Sequence, residues 1–239
     1  DPIALCQNIT VQLNASGAAS IVPAQINNGS TDNCSIQSVT ANPNSFTCAN
    51  VGPNTVTLTV IDGSGNQSTC TATVTVQDNV APNAVCQNVT VQLDAAGNAS
   101  IVAAQVDGGS TDNCAIDNIA VSPSTFTCAN VGSNTVTLTV TDVNGNVTTC
   151  NATVTVEDNV LPIALCQNVT VQLDASGNAT ISALDIDNGS SDNCAIASLV
   201  ASPNAFNCSN VGTNATVLTV TDVNGNVSTC NATVTVEDD

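Results

Sequence analysis

Carboxylates are the only charged side chains in this chain. Its 239 residues include 19 Asp and Glu but no Lys, Arg or His, which gives a net charge of −19. Charged residues make up only 8% of the sequence, so the acidic side chains occupy selected positions rather than coating the surface. With no basic side chain available, carboxylates that lie close together are neutralised only by protons or by bound cations. Clustered oxygen ligands suit Ca²⁺ better than Mg²⁺ or a transition metal, so the composition predicts calcium binding.

The candidate ligands recur at intervals of 80 residues and fall in three places of each repeat. The first place is a loop, the second is a hairpin turn, and the third is the segment that links one repeat to the next. The loop contains Asp32, Asp112, Asn113, Asp192 and Asn193; the turn contains Asp62, Asp142, Asn144, Asp222 and Asn224; the linker or its end contains Asp78, Asn79, Glu157, Asp158, Asn159 and Asp238. Such a regular internal repeat indicates an array of small domains.

The hairpin turn has two interpretations. Asp142-Val143-Asn144-Gly145-Asn146 places acidic or amide oxygens at alternate positions, as calcium-binding loops do. Asn-Gly between alternating apolar runs is also the ordinary signal of a type I′ hairpin, which needs no metal. The first repeat has Gly63-Ser64-Gly65-Asn66 after Asp62 and lacks the middle amide, so we expect a poorer site there.

The composition argues against three classes of function. Phosphate groups are bound mainly by Lys and Arg, so we expect no nucleic-acid partner. The chain has no His, Lys, Arg or Tyr to act as a general base or as an activated nucleophile, and we expect no enzymatic activity. No apolar run approaches the roughly 18 residues of a membrane-spanning helix, so we expect no membrane insertion.

Twelve cysteines keep the same interval of 80 residues. Within a repeat they are separated by 27, 13 and 21 residues, without a close pair or a His, which favours disulfides over zinc ligation. Disulfides indicate an oxidising compartment, so we expect an extracellular or cell-surface protein. The residues are Cys6, Cys34, Cys48, Cys70, Cys86, Cys114, Cys128, Cys150, Cys166, Cys194, Cys208 and Cys230.

Short β-strands must position these groups. Apolar residues alternate with Thr or Gln in several runs of each repeat, as at Val56, Leu58 and Val60, which is the period of half-buried strands. Turns rich in Gly, Pro and Asn separate the runs, and no helical period is present. These features predict an all-β fold of three tandem immunoglobulin-like antiparallel β-sandwich domains in a rod, over residues 1–79, 80–159 and 160–239. A core of this size is marginal, so we expect each repeat to depend on its disulfides.

Strand directions predict where the loops meet. If the strands alternate in direction, the loop with Asp112 and the turn with Asp142 lie at one end of their repeat, facing the linker that leaves the repeat before it. Each junction then gathers about four carboxylates, with Asp94 and Asp174 at the linker ends of their repeats. Carboxylates brought within a few ångströms cost stability unless a cation joins them. The sequence therefore predicts calcium sites at the junctions.

Motifs spread over each repeat resemble the hyalin repeat (HYR) domain. In the second repeat they are Thr111-Asp112-Asn113-Cys114, Phe126, Asn130-Val131-Gly132, Val136-Thr137-Leu138-Thr139-Val140-Thr141-Asp142 and Thr149-Cys150. The resemblance implies an immunoglobulin-like extracellular domain of adhesive or cell-surface proteins, including arrays secreted by bacteria. It also implies a cysteine pairing within each repeat: Cys6–Cys70, Cys86–Cys150 and Cys166–Cys230 first, and then Cys34–Cys48, Cys114–Cys128 and Cys194–Cys208. Gln7 and Leu58 depart from the family pattern, which commonly has Pro and Tyr at these places.

The linker Glu157-Asp158-Asn159-Val160-Leu161-Pro162 is similar to the calcium-binding linkers of cadherins, in which acidic and Asn residues precede a Pro that opens the next domain. The alternative interpretation is a solvated turn between domains.

Together these features predict a structural module of an extracellular adhesive fibre, rigidified by disulfides and by Ca²⁺ at the junctions. Its expected partners are calcium and itself, in a longer array or a head-to-tail polymer, because Asp1-Pro2 is equivalent to Leu161-Pro162 and Asp239 to Asn159. A passive stalk that displays a separate adhesin or enzyme is the first alternative. A glycan- or ice-binding module is the second, since Thr recurs at alternate positions in two runs of each repeat.

Overall fold

The computed structural model describes residues 1–238 as a nearly all-β protein of three similar β-sandwich repeats. Asp239, on which the head-to-tail prediction drew, lies outside the described residues. The chain divides into two compact units, one of Asp1–Gln87, Ala103–Ser122 and Thr137–Ala152, the other of Asn88–Val102, Pro123–Val136 and Thr153–Asp239. Each unit thus includes a terminal repeat, the junction beside it and part of the middle repeat. The domain boundaries at residues 79 and 159 stay a prediction.

Each repeat has the same succession of strands with one single-turn α-helix and one short 3₁₀ helix, at Cys48–Asn50, Cys128–Asn130 and Cys208–Asn210. In the first repeat the elements are β1 (Ile9–Gln12), β2 (Ala18–Ser20), α1 (Pro23–Ile26), β3 (Ile36–Asn42), β4 (Ser45–Thr47), β5 (Gly52–Asp62) and β6 (Gln67–Gln77). In the second they are β7 (Val89–Gln92), β8 (Asn98–Ser100), α2 (Ala103–Val106), β9 (Ile116–Ser122), β10 (Thr125–Thr127), β11 (Gly132–Asp142) and β12 (Val147–Glu157). In the third they are β13 (Val169–Gln172), β14 (Asn178–Thr180), α3 (Ala183–Ile186), β15 (Ile196–Ser202), β16 (Ala205–Asn207), β17 (Gly212–Asp222) and β18 (Val227–Glu237).

The strands of the first repeat form a four-stranded sheet in the order β1-β6-β5-β3 and a two-stranded sheet of β2 and β4. The third repeat has the equivalent sheets, β13-β18-β17-β15 and β14-β16. In the middle repeat β7 pairs with β12, β9 with β11 and β8 with β10. The predicted all-β sandwich fold is confirmed.

One strand pair in each repeat departs from the predicted antiparallel pattern: β1 and β6, β7 and β12, and β13 and β18 are parallel. β1 runs parallel to β6, with Ile9 opposite Val74. Two contacts fix this direction: the Cys6–Cys70 disulfide just before β1, and a hydrogen bond that the Thr73 N–H donates to Asn8 Oδ1 at 2.7 Å.

The single-turn helices were not expected from the sequence, because four residues are too few to show a helical period. α1 begins at Pro23, whose fixed φ suits the first turn of a helix, and it ends at Ile26, which is fully buried. The helix therefore serves to add one apolar side chain to the core.

The first and third repeats each have a core of buried apolar side chains. In the first repeat the alternating apolar residues of β5 and β6 meet Phe46 of β4 and Ile26 of α1, and all are almost fully buried. The Cys6–Cys70 disulfide closes a sequence separation of 64 residues. A loop of that length stabilises a fold by about 4 kcal/mol in the chain-entropy model, which matters for so small a core.

Candidate metal centre

The hairpin turn of the second repeat holds one carboxylate rigidly. Asp142, the last residue of β11, accepts hydrogen bonds at Oδ1 from the backbone N–H groups of Asn144 and Asn146, both at 2.8 Å. Its Oδ2 accepts from the Asn146 side-chain amide at 2.7 Å. Burial pushes the pKa of Asp142 upward, but these hydrogen bonds outweigh it and leave the pKa below its ordinary value. The turn therefore folds around an ionised carboxylate.

The loop before β9 holds a second carboxylate. Asp112 Oδ2 accepts from the backbone N–H groups of Cys114 at 2.8 Å and Ala115 at 3.1 Å. Its other oxygen, Oδ1, is buried without a hydrogen-bond partner. Local hydrogen bonding therefore fixes the side chain and leaves one oxygen free to bind something else.

The linker supplies the third carboxylate. Asp78 follows β6 directly, and its side chain is only 5% exposed. Its Oδ1 accepts from the Val80 N–H at 3.2 Å and from the Asn113 side-chain amide at 3.1 Å. Its Oδ2, like Asn113 Oδ1, is buried without a partner.

These residues come together at the junction between the first and second repeats, within the first unit. One carboxylate oxygen from each of the three residues lies within 4.8 Å of the others, and the same holds at the second junction, within the second unit. We call these groups the junction clusters: Asp78, Asp112 and Asp142 in the first, and Asp158, Asp192 and Asp222 in the second. At the second junction Asp158 Oδ2, Asp192 Oδ1 and Asn193 Oδ1 are the buried oxygens without a partner.

The donor set fits a hard cation. Three carboxylates so close together repel one another, and the chain contains no basic side chain that could join them. Buried polar atoms normally have hydrogen-bond partners, so the three free oxygens at each junction are suited to bind a positively charged ligand. Carboxylate and amide oxygens are the donors that Ca²⁺ prefers.

Two Asn side chains tie the repeats together around the first cluster. The Asn113 amide donates to the backbone carbonyl of Asn14 in the preceding repeat at 3.2 Å as well as to Asp78. The Asn146 amide donates to the carbonyls of Asp78 and Val80 at 3.2 and 3.3 Å. This bridging role of Asn146, and of Asn226 at the second junction, was missed, since the sequence shows an Asn in a turn but not the direction of its amide.

The first and last cysteines of each repeat pair as the family resemblance implied: Cys6–Cys70, Cys86–Cys150 and Cys166–Cys230. The remaining predicted pairs, Cys34–Cys48, Cys114–Cys128 and Cys194–Cys208, are wrong. The other two disulfides join successive repeats: Cys48–Cys114 and Cys128–Cys194. Cys34 and Cys208 are free and exposed.

Strand geometry explains why Cys34 and Cys48 do not pair. Cys34 precedes β3, whose Ile36 lies opposite Asp62 at the end of β5, whereas Cys48 lies just before Gly52 at the start of β5. β5 has 11 residues, so its ends are roughly 33 Å apart. A disulfide allows about 7 Å between Cα atoms at most. Cys34 and Cys48 are therefore too far apart to pair with each other.

Asp32 and Asp62 of the first repeat have the same local hydrogen bonds as Asp112 and Asp142. Asp32 Oδ2 accepts from the Cys34 N–H at 2.9 Å, and Asp62 Oδ2 accepts from the Asn66 amide at 2.9 Å. The Asn66 amide is the main cause of the lowered pKa of Asp62. Neither residue belongs to a group of three carboxylates among the described residues.

The predicted Asn ligands of the turns and of the first linker lie beside the clusters rather than in them. Asn79 and Asn144 are exposed and line a shallow groove next to Asp78. The backbone N–H of Asn224 donates to Asp222 Oδ1 at 2.8 Å, while its side chain is exposed.

The remaining predicted ligands have other surroundings. Glu157 accepts a hydrogen bond from the Gln92 side chain at 2.6 Å, and Asn159 donates to the same Gln92 at 2.7 Å. Asp238 is exposed. Asp94 uses its carboxylate to accept from N–H groups of its own turn, so each junction cluster contains three carboxylates among the described residues rather than the four expected.

The chain matches no protein-family model and no curated protein. Among solved structures it is similar to the titin I-band fragment I67–I69, with 10% identity over 99% of this chain and 98% of that one and a TM-score of 0.45. It is also similar to extracellular cadherin domains 1–4 of protocadherin gamma B7, with 11% identity, coverage of 98% and 75%, and a TM-score of 0.39. Drosophila N-cadherin EC1–4 gives 12% identity, coverage of 99% and 75%, and a TM-score of 0.36. Likeness at this level carries no argument about function. No helix among residues 1–238 has the length and apolar character needed to span a membrane.

Proposed function

We propose that the chain is a structural module of an extracellular adhesive fibre, in which bound calcium and a disulfide together hold each junction between repeats. The observation that carries this proposal is the set of buried oxygens without partners, Asp78 Oδ2, Asp112 Oδ1 and Asn113 Oδ1 at the first junction. Leaving such atoms unpaired costs about 1–3 kcal/mol each, and more for charged groups. A cation within the cluster would satisfy all three.

Calcium is the cation that these donors favour. Ca²⁺ takes about six to eight oxygen ligands in a flexible geometry, which protein oxygens and water can complete together. Mg²⁺ demands a stricter octahedral arrangement, and zinc prefers nitrogen or thiolate ligands. The chain has no His, and the cysteines nearest the clusters, Cys114 and Cys194, are in disulfides.

Calcium would act by joining three segments that belong to two repeats. The linker, the loop and the turn each supply one carboxylate, so the bound ion replaces their mutual repulsion by shared attraction. The disulfide beside the cluster adds a covalent tie that does not depend on calcium. Two repeats joined in both ways lose freedom to rotate against each other, which is what a fibre requires.

We further propose that the repeats are of the HYR type, over residues 1–79, 80–159 and 160–239, in an array of a bacterial secreted or surface protein. The five disulfides support an oxidising compartment such as the cell surface. Association with further copies, head to tail, belongs to the same proposal. Under this proposal the chain has a structural role and no catalytic one.

Calorimetry tests the calcium proposal directly. The full chain, with disulfides intact, is unfolded in excess Ca²⁺ and in excess chelator. A ligand at about 100 times its Kd stabilises the folded state by about 2.7 kcal/mol per site, so we expect a clear rise in Tm with calcium. The rise should shrink in Asp112→Asn and stay unchanged in Asp117→Asn, which makes the same chemical change at an exposed position of β9. Identical curves in calcium and chelator would contradict the proposal.

A further inference from the structure

The first and third repeats each contain one described cysteine outside a disulfide. Cys34 and Cys208 are the two described cysteines outside a disulfide, and both are exposed. By position in the repeat, Cys34 is equivalent to Cys114 and Cys208 is equivalent to Cys48. Those equivalents bond to each other across the first junction. The chain thus displays one half of the junction disulfide in its first repeat and the complementary half in its third.

The surface around Cys208 matches the surfaces that already contact a following repeat. A Cβ on Gly97 would lie 2.9 Å from the carbonyl oxygen of Asn193, so this glycine leaves room for the repeat that follows. Gly177 is the equivalent residue of the third repeat, with φ +73°, and a Cβ there would meet only Cys208 Sγ, at 2.6 Å. The room for a following repeat is therefore present at Gly177.

Two further groups of the junction lie at the same surface. Asp174 and Asp238 line a groove together with Cys208. Asp174 is equivalent to Asp94, whose backbone carbonyl accepts a hydrogen bond from the following repeat at 3.2 Å. Asp238 is equivalent to Asp158, the linker carboxylate of the second junction cluster. The third repeat thus presents the disulfide, the acceptor and the carboxylate that a junction requires.

The first repeat presents the complementary groups. Asp32 and Asp62 are held by the same hydrogen bonds as Asp112 and Asp142. Asp32 Oδ1 is buried without a hydrogen-bond partner, just as Asp112 Oδ1 is. The first repeat therefore holds in place the equivalents of two of the three carboxylates of a junction cluster; the third, the linker carboxylate, has its equivalent in Asp238.

We propose that a second copy of this chain docks its first repeat on the third repeat of the first copy, and that a Cys208–Cys34 disulfide links the two copies covalently. In the same interface Asp238 of the first copy joins Asp32 and Asp62 of the second in a third carboxylate cluster. The proposal deepens, and rests on, the head-to-tail association put forward above. It assigns that association one covalent bond and one cation site.

Formation of the bond is an oxidation. The two thiols lose two protons and two electrons and form one S–S bond, and a disulfide oxidant takes up both and is released as two thiols. A low-molecular-weight disulfide or a thiol–disulfide oxidoreductase can fill this role. The attacking species is the thiolate of one exposed cysteine, and the bond forms through a mixed disulfide with the oxidant.

Two single variants of the full chain test the pairing. Cys34→Ser keeps only the Cys208 thiol, and Cys208→Ser keeps only the Cys34 thiol. One variant is labelled with ¹⁵N, the two are mixed in equal amounts with calcium and glutathione disulfide, and the products are identified by mass without reduction. We expect mixed dimers to exceed each type of like dimer by about tenfold or more, because docking raises the effective concentration of the correct thiol pair. The wild-type chain should form a ladder of oligomers under the same conditions.

Three results would overturn the covalent link: like and mixed dimers in the proportions of random pairing, a wild-type chain that stays monomeric with both thiols free, or a monomer with Cys34 bonded to Cys208. Exposed, unbonded thiols tolerate Ser, so loss of folding does not confuse the outcome. If calcium has no effect on the unfolding of the Cys34→Ser, Cys208→Ser double variant while the wild-type ladder forms, the calcium proposal fails and the covalent link stands.

The cation part has its own measurement. Calcium should speed mixed-dimer formation over chelator by about tenfold, and Asp238→Asn in the Cys34→Ser partner should remove that acceleration. Glu237→Gln, one residue earlier in the chain, is the matched control and should keep it. Equal rates in calcium and chelator would remove the third cluster from the proposal.

Discussion

The loop and turn of the first repeat and those of the second have the same hydrogen bonds but different surroundings. Asp32 and Asp112 both accept from the N–H groups two and three residues further on. The loop and turn of the second repeat meet two residues of the repeat before it: Asp78 supplies a third carboxylate, and Cys48 forms a disulfide with Cys114. In the first repeat, by contrast, Cys34 is free and exposed. The loop and the turn therefore acquire their shape locally, and the preceding repeat decides whether they become part of a site.

The largest expected effect comes from breaking the disulfide to the preceding repeat, which the second repeat has and the first lacks. Cys48→Ser with Cys114→Ser should lower the free energy of unfolding by about 2–4 kcal/mol, because the crosslink closes a long loop of the unfolded chain. Guanidinium denaturation followed by circular dichroism measures the loss.

Cys34→Ser is the matched control for this pair of substitutions. It makes the same change at the equivalent position of the first repeat, where no disulfide is broken, and should stay within about 0.5 kcal/mol of the wild type. Equal losses of unfolding free energy in the two variants would mean that the Cys48–Cys114 bond does not distinguish the second repeat from the first.

Asp78→Asn should make the second repeat resemble the first in its response to calcium. The substitution should weaken calcium binding at the first junction about 10- to 100-fold, or about 1.4–2.8 kcal/mol. In chelator it should have the opposite sign and raise stability by up to about 1 kcal/mol, because one of three repelling charges is gone. Calorimetry in calcium and in chelator gives both values.

Asp238→Asn, in dilute protein that also carries Cys34→Ser and Cys208→Ser, controls for the loss of a linker carboxylate outside the two junction clusters while the other disulfides stay intact. We expect little change in Tm, either in calcium or in chelator. A destabilisation by Asp78→Asn that is the same with and without calcium would argue that Asp78 acts only through its hydrogen bonds to Val80 and Asn113.

Asn146→Ala and Asn66→Ala compare the two turns. Both Asn side chains donate to the Asp four residues before them, but only Asn146 also donates to carbonyls of the preceding linker. Asn146→Ala should therefore cost about 1 kcal/mol more than Asn66→Ala in chemical denaturation. Equal costs would show that the cross-junction hydrogen bonds add nothing to stability.

The smallest expected effect concerns a position where the first repeat has Asn27 and the second has Asp107. Both accept from a Ser hydroxyl, Ser30 at 2.7 Å and Ser110 at 2.6 Å. The Ser110 hydroxyl, and next its N–H, hold the pKa of Asp107 below the ordinary value. A lowered folded-state pKa stabilises the fold above the unfolded pKa of about 3.9, and this contribution is lost as the pH falls through the folded value.

Asp107→Asn should therefore cost less than about 1 kcal/mol at neutral pH, and the difference from wild type should disappear in acid. Asn27→Asp should show the reverse, gaining stability at neutral pH and losing the gain as the pH falls. Denaturation midpoints measured across the acid range check both variants. Parallel pH curves for variant and wild type would contradict the prediction.

The sequence carried enough information for the strands and for the meeting of the carboxylates. Alternation at Val56, Leu58 and Val60 requires a half-buried strand, and β5 covers them. Strand direction then places Asp112 and Asp142 beside the linker of the preceding repeat, where the structure has them. These features depend on period and direction, which a sequence contains.

The cysteine pairing needed three-dimensional distances. Strand direction, which places Asp112 at the junction, also places Cys114 there, two residues later, whereas the family resemblance implies a pairing within the repeat. The length of β5 rules that pairing out, because its ends separate Cys34 from Cys48. The free oxygen of Asn113 could not be predicted from the sequence either, because it depends on which side of the amide faces Asp78.

The disulfides within the repeats also determine how tension travels through the molecule. A pull applied before Cys6 crosses to Cys70 through their bond, follows the chain to Cys86 and crosses again to Cys150. The sandwich between each such pair of cysteines lies outside this load path. A pulling force therefore cannot unfold the sandwich while the S–S bonds are intact. Extension is limited to the short segments between repeats. A fibre made of these modules should therefore extend only through the short segments between repeats. The force at which it breaks should be set by covalent bonds rather than by the marginal stability of any one sandwich.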